Sequence, residues 1–159
     1  MSRVNTVGRT LSQAHAAYLA GMFDSDGAIM AIIEPTRSLS LGCRVRIVLK
    51  STQKSPTHLR MLIRHVGVGG LVKNRTTWDW LIRERGATRW LLYQIVGQTL
   101  VKRAQCRIAL RILSMEVKDR HDLARVCRWA DALSQLNPRS KLRRRNTWSK
   151  VSEGVPRND

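Results

Sequence analysis

Asp24 and Asp26 stand one residue apart around Ser25, at the end of a stretch whose pattern predicts a helix. Only 11 of the 159 residues are acidic, against 29 Lys and Arg, so a carboxylate pair is conspicuous. A helix C-terminus carries the negative end of the macrodipole, and acids placed there are unfavourable. A divalent cation would supply a reason for them. It neutralises carboxylates and can also take a free carbonyl from the last helical turn. Capping of the helix, or of the turn behind it, would supply another. From these residues alone both readings stand.

The element that carries the pair begins at Ser12, which has an N-cap side chain. The helix runs from there to about Asp24, and Gly27 ends it. Ala16 and Ala20 lie four apart on it, as do Ala17, Gly21 and Ser25. A stripe of small residues lets two helices approach backbone to backbone, within one domain or between two copies of the chain. The flanking Tyr18, Leu19, Met22 and Phe23 are large enough to bury in the chain's own core.

Alternation follows the helix. From Ala28 to Glu34, the residues Ile29, Ala31 and Ile33 share one face, and Met30, Ile32 and Glu34 the other. Pro35 stops this strand, and the stretch to Gly42, with Thr36 and Arg37, reads as a hairpin loop. From Arg44 to Lys50, Val45, Ile47 and Leu49 face one way, while Arg44, Arg46, Val48 and Lys50 face the other. Ser55-Pro56 opens a second helix in the order cap then proline, and Gly67, Gly69 and Gly70 break it. Two short strands are expected near Leu71 to Arg75 and Trp78 to Arg83, with Lys73, Arg75, Asp79, Leu81 and Arg83 on the open face. Three helices complete the chain: about Ala87 to Thr99, Lys102 to Val117 and His121 to Leu136. The order α-β-β-α-β-β-α predicts an α+β fold, a four-stranded antiparallel sheet with helices on one face and a bare cationic face opposite. Residues 1–11 read as an N-terminal extension, 12–137 as one domain and 138–159 as a basic arm carrying Arg139, Lys141 and Arg143.

The formal net charge is +18 while 43% of residues are hydrophobic, so the chain should fold and still carry a strong positive field. No acid occurs between Glu34 and Asp79, a stretch with nine Arg and Lys residues. Nucleic acid is the expected partner, ahead of a membrane surface. No apolar run reaches the roughly 20 residues of a membrane span. Cys43, Cys106 and Cys127 have no zinc spacing, and reduced thiols in a cytoplasmic compartment, or an organellar matrix, are expected. A sheet face of this kind can lie in a DNA groove. Arg44, Arg46 and Arg75 suit guanine O6 and N7, and Asp79 can accept from cytosine N4.

Leu19-Ala20-Gly21-Met22-Phe23-Asp24-Ser25-Asp26-Gly27 resembles the LAGLIDADG signature of the homing endonucleases. Leu19, Ala20, Gly21, Asp24, Asp26 and Gly27 match it directly. Thr52-Gln53-Lys54, Gly67-Val68-Gly69, Lys102, Val126-Cys127 with Trp129, and Leu136-Asn137 are similar to further family segments. The resemblance spans roughly residues 12 to 150. The single occurrence of the motif resembles the homodimeric branch rather than the two-motif monomers.

The resemblance implies a fold, an activity and residue roles. Asp26 is implied as a metal ligand and Ser25 as the donor of a backbone carbonyl to the metal. Gln53 is implied to order active-site water, and Lys102 to stabilise charge at the scissile phosphate. Some members have an arginine where this chain has Thr57, with His58 and Arg60 nearby. Asp24 is implied to be structural, at a dimer seam with Ala16, Ala17, Ala20 and Gly21. The function implied is homodimeric, Mg²⁺-dependent (or Mn²⁺-dependent) hydrolysis of both strands of a long pseudo-palindromic DNA target, with no small-molecule cofactor. An RNA maturase on the same fold and a non-catalytic DNA-binding regulator are the alternatives. Retention of Asp26, Gln53 and Lys102 counts against both.

Overall fold

A computed structural model of the chain describes residues 8–137 and 146–153. The first helix, α1 (Gln13–Asp26), starts at Ser12, whose hydroxyl accepts from the His15 N–H. It runs two residues further than its apolar pattern suggests and passes directly into β1 (Gly27–Pro35). Gly27 is needed at that junction, because a Cβ there would collide with Phe23. The strand β2 (Cys43–Gln53) follows, then α2 (Pro56–Val66), capped by Ser55 and closed by Gly67 in the left-handed region at φ 82°. Next come β3 (Gly70–Asn74), β4 (Thr77–Ile82), α3 (Arg85–Ile95), α4 (Arg103–Ser114) and α5 (Arg120–Gln135).

The four strands form one antiparallel sheet in the order β1-β2-β4-β3. Ile29, Ala31, Ile33, Ile47, Leu49, Trp80 and Ile82 enter one core with buried residues of α1 to α5. The fold is therefore α+β, with the helices on one sheet face, as the strand alternation predicts.

Two expected positions change. Lys73 pairs with Trp78, not with Asp79, so it lies on the helix side of β3, where its ammonium sits 5.9 Å from the Trp78 ring centroid. Val72 and Asn74 take the open face in its place, opposite Asp79 and Thr77. Arg75 is not in a strand. It occupies the tight turn between Asn74 and Thr77 with φ 53°.

Part of the stretch read as a basic arm returns to the domain. A short helix, α6 (Trp148–Ser152), packs on α5, with Val151 buried and the Trp148 N–H donating to Asp131 at 3.2 Å. The side-chain amides of Asn137 and Asn146 donate to the carbonyls of Ile29 (2.8 Å) and Ile33 (3.0 Å) on β1. Those carbonyls lie on the outer side of an edge strand, where every second backbone group lacks a sheet partner.

Candidate functional site

The end of α1 is built around Asp24 and Lys102. The Asp24 carboxylate accepts from the backbone N–H groups of Leu100 (2.7 Å), Val101 (3.1 Å) and Lys102 (2.9 Å). Burial raises the Asp24 pKa, but these bonds and the Lys102 charge outweigh it and leave the carboxyl below its ordinary value. The Lys102 ammonium in turn donates to the carbonyls of Phe23 (2.6 Å) and Asp24 (2.7 Å). A cation there offsets the negative end of the helix. Burial draws the Lys102 pKa down against the opposing pull of Asp24, Asp26 and Cys106. Of the two readings of the acid pair, Asp24 takes the capping one: it caps a loop more than 70 residues away rather than its own helix.

Asp26 differs. It ends α1, is exposed, and has no hydrogen bond or ion pair to any described residue. Gly27 pairs with Ser51, so Gln53, the last residue of β2, lies at the same end of the sheet as Asp26. Asp26, Gln53 and Lys102 thus converge on the α1–β1 junction. Ser25, also exposed, donates from its hydroxyl to the Met22 carbonyl at 3.2 Å. His58 Nε2 lies 2.7 Å from the Tyr18 hydroxyl, the Arg60 guanidinium lies 6.0 Å from the Trp78 centroid, and the Thr57 N–H donates to Ser55. These three are engaged with neighbours in the same chain.

No group of three His, Cys, Asp or Glu able to cage an ion occurs among the described residues. One carboxylate and a helix-end carbonyl are still a fit for a hard divalent cation. Such an ion keeps several waters and takes one or two carboxylates plus phosphate oxygens.

The outer face of α1 is narrower than the small stripe suggests. Ala16 and Ala20 are buried in the chain's own core, 7% and 0% exposed. Ala14, Ala17, Gly21 and Ser25 are exposed, beside Tyr18. Asp24 flanks this face with its carboxylate turned to the 100–102 loop. That loop holds Leu100 and Val101, 80% and 73% exposed, next to the small face.

The bare sheet face carries Met30, Ile32, Glu34, Arg44, Arg46, Val48, Lys50, Thr52, Asp79 and Leu81, in register across β1, β2 and β4, and Arg83 extends it beyond the end of β4. Its two acids organise its cations. Glu34 lies 3.0 Å from Arg44 Nε and 3.1 Å from Arg46 Nε. Asp79 accepts from Lys50 (3.2 Å), Thr52 (2.6 Å) and Asn74 (3.0 Å) and is 5% exposed. Burial raises its pKa, and these partners together bring it below the ordinary value. Asp79 is thus not a free acceptor for a cytosine amine; it holds Lys50 in place. Thr36 and Arg37 lie in the β1–β2 loop, where the Thr36 hydroxyl donates to the Glu34 carbonyl at 3.2 Å. Arg139, Lys141 and Arg143 fall outside the described residues.

Sequence reasoning missed the two carboxylate hubs and the Asp24 loop. A same-face signal for the Glu34 hub existed, since Glu34, Arg44 and Arg46 alternate onto one side. Nothing local pointed from Asp24 to Leu100.

No protein-family profile matches the chain. It is 30% identical over 132 residues to the DNA endonuclease I-CreI of Chlamydomonas reinhardtii, covering 80% of each protein. Its structure superposes on the homing endonuclease I-CvuI, solved with its target in the presence of calcium, at a TM-score of 0.80 and 26% identity. That match covers 89% of this chain and 92% of the other. The archaeal intron-encoded homing endonuclease I-Vdi141I, solved with DNA, gives 0.76 at 20% identity over 87% and 92%, a likeness of fold. With the signature at the end of α1, the bare cationic sheet and this relationship together, the chain belongs to the single-motif LAGLIDADG homing endonuclease family and is a site-specific DNA endonuclease.

Proposed function

We propose that two copies of this chain pair through the outer faces of their α1 helices and cut both strands of a long, pseudo-palindromic DNA target with the help of a divalent metal ion. One observation carries the reading: the free Asp26 carboxylate stands where the small outer face of α1 meets the end of the cationic sheet. A two-fold axis along α1 would bring two such carboxylates together and lay the two sheets along successive half-sites. Ala14, Ala17, Gly21 and Ser25 permit that approach, and the exposed Leu100 and Val101 extend it with apolar surface.

Asp26 and the Ser25 carbonyl would hold the ion, Mg²⁺ by its preference for oxygen ligands and Mn²⁺ as a substitute. When bound, such an ion lowers the pKa of its water and stabilises charge on the phosphate. Gln53 orients water at the same end of the sheet. Lys102, held at the end of α1 by the Phe23 and Asp24 carbonyls, offsets negative charge developing on the phosphate. Glu34 and Asp79 hold Arg44, Arg46 and Lys50 in fixed poses, which lowers the ordering cost of reading bases. The three buried free thiols fit a reducing compartment, the cytoplasm or an organellar matrix.

The test is selection of cleaved molecules from a randomised duplex library with Mg²⁺. The expected product is one family of related sequences with approximate two-fold symmetry, cut on both strands. Recovery of asymmetric sites only, or of nicked products alone, would count against the paired reading.

A further inference from the structure

A second cationic surface lies on the helical layer, away from the sheet. The buried residues of α4 are Gln105, Cys106, Ala109, Ile112 and Leu113, so Arg107, Arg111 and Ser114 point outward. With Tyr93 of α3 and Arg125 and Trp129 of α5 they line a concavity of about 670 Å³ that is open to solvent. No carboxylate lines it among the described residues. Its lining sets two aromatic rings among three guanidinium groups, with Ile108, Leu110 and Met115 between them. Arg111 lies 4.7 Å from the Trp129 centroid, and Arg89 lies 5.7 Å from that of Tyr93. Tyr93 is 54% exposed, a large ring that the fold does not need to present to water. Arg125 is held by Asp122 at 2.9 Å, on its own helix.

This chemistry differs from that of the sheet face in its rings: there the cations are interleaved with Met30, Ile32, Val48 and Leu81, and no aromatic ring lies among the described residues of that face. Phosphates need cations, and both faces have them. Flat rings and stacked guanidinium planes bind the faces of bases, which are hidden in a duplex and open in a single strand. We propose that the α3–α4–α5 groove is a binding site for single-stranded nucleic acid, with Tyr93 and Arg111, which is backed by Trp129, as stacking platforms and Arg107 and Arg125 as phosphate contacts. The chain then has two nucleic-acid surfaces on opposite sides of its core, and a single strand and a duplex can be held at once. The site does not depend on how, or whether, the sheet face cuts DNA.

Fluorescence anisotropy of labelled 12-nucleotide RNA and DNA strands of unstructured sequence tests this, with an unlabelled random duplex present in excess to fill the sheet face. Binding should persist under that competition. Tyr93→Ala should weaken it about tenfold, the loss expected of one stacked base. Arg107→Glu with Arg111→Glu should abolish it while changing duplex affinity little. Arg44→Glu with Arg46→Glu should do the reverse. All of these side chains are exposed or half-exposed, and an unchanged melting temperature identifies each variant as folded. Equal affinity for the two strands supports a site that reads stacking and phosphate alone; preference for RNA supports one that also reads the 2′-hydroxyl. Complete displacement by duplex, or full binding by the groove variants, would overturn the assignment. So would equal binding of a poly-glutamate peptide, since that would reduce the groove to a site for any polyanion.

Discussion

Asp24 and Lys102 are joined twice, in opposite senses. The Asp24 carboxylate accepts the Lys102 backbone N–H, and the Lys102 ammonium donates to the Asp24 backbone carbonyl. The helix end fixes the loop and the loop fixes the helix end. This mutual clamp sets the position of Ser25 and Asp26, the next two residues.

Breaking the clamp should cost stability and reveal its pH dependence. Asp24→Asn turns one accepting oxygen into an amide nitrogen and should destabilise the protein by about 1–3 kcal/mol. The folded-state pKa of Asp24 is lowered, so its contribution is complete above the unfolded value of about 4 and is lost as pH falls through the folded value. Urea titrations between about pH 5.5 and 3 should show a steeper loss for the parent protein than for Asp24→Asn; parallel curves would refute the role given to this carboxylate.

Lys102→Ala should act on two observables. Cleavage should slow by more than binding weakens, because the charge is needed at the phosphate. The melting temperature should also fall by roughly 2–4 °C per kcal/mol lost, since the carbonyls of Phe23 and Asp24 lose their cation. A fall in melting temperature with an unchanged cleavage rate would leave Lys102 as a clamp only.

Asp26→Asn should abolish cleavage and leave specific DNA binding nearly intact. The side chain has no partner among the described residues, so the folded state should be unaffected, in contrast to Asp24→Asn. Gel-shift and cleavage assays on one selected target separate the two effects, and undiminished cutting would remove Asp26 from the reaction.

Gly21→Leu tests the paired assembly. A Cβ at Gly21 meets nothing within 4 Å in the single subunit, so the substitution should leave the monomer folded. It should block close approach of two α1 helices, giving monomers in sedimentation equilibrium and no double-strand cleavage. A stable dimer of Gly21→Leu would place the contact surface elsewhere. Ala20→Leu, by contrast, should destabilise the fold by about 1–3 kcal/mol, because Ala20 is fully buried.

Asp79→Ala should release Lys50 from its fixed pose. Stability should drop by about 1–3 kcal/mol, affinity for random duplex should rise, and the log–log salt slope should steepen by about one. Discrimination at the base pair facing Lys50 should fall. Binding measured on a panel of single-base target variants reports all of this.

The elements were legible because each carries its own period. Ile29, Ala31 and Ile33 mark a half-buried strand, and Ser55-Pro56 marks a helix start, with no reference to the rest of the chain. Lys73 was misplaced for a specific reason: β3 has only five residues, and its face is set by the tight turn at Arg75, whose left-handed backbone shifts the register relative to a strand read through it. The α1 stripe looked wider than it is because Ala16 and Ala20 are as small as Ala17 and Gly21, and size does not say which way a small residue points. Around the site, Asp26 and Gln53 could be named from the motif and its neighbours. For Asp24 the motif implied a structural role but not its partners, which lie in a loop that local pattern does not connect to it.

The two asparagine amides on β1 have a consequence for how copies of this chain can meet. An exposed edge strand invites another strand to join it, and pairing of β1 with the β3 edge of a further copy would extend the sheet sideways. Asn137 and Asn146 occupy the very carbonyls that such a neighbour would need. With those carbonyls taken, β1 is a poor template for a further strand, and any contact between copies is steered away from this rim of the sheet.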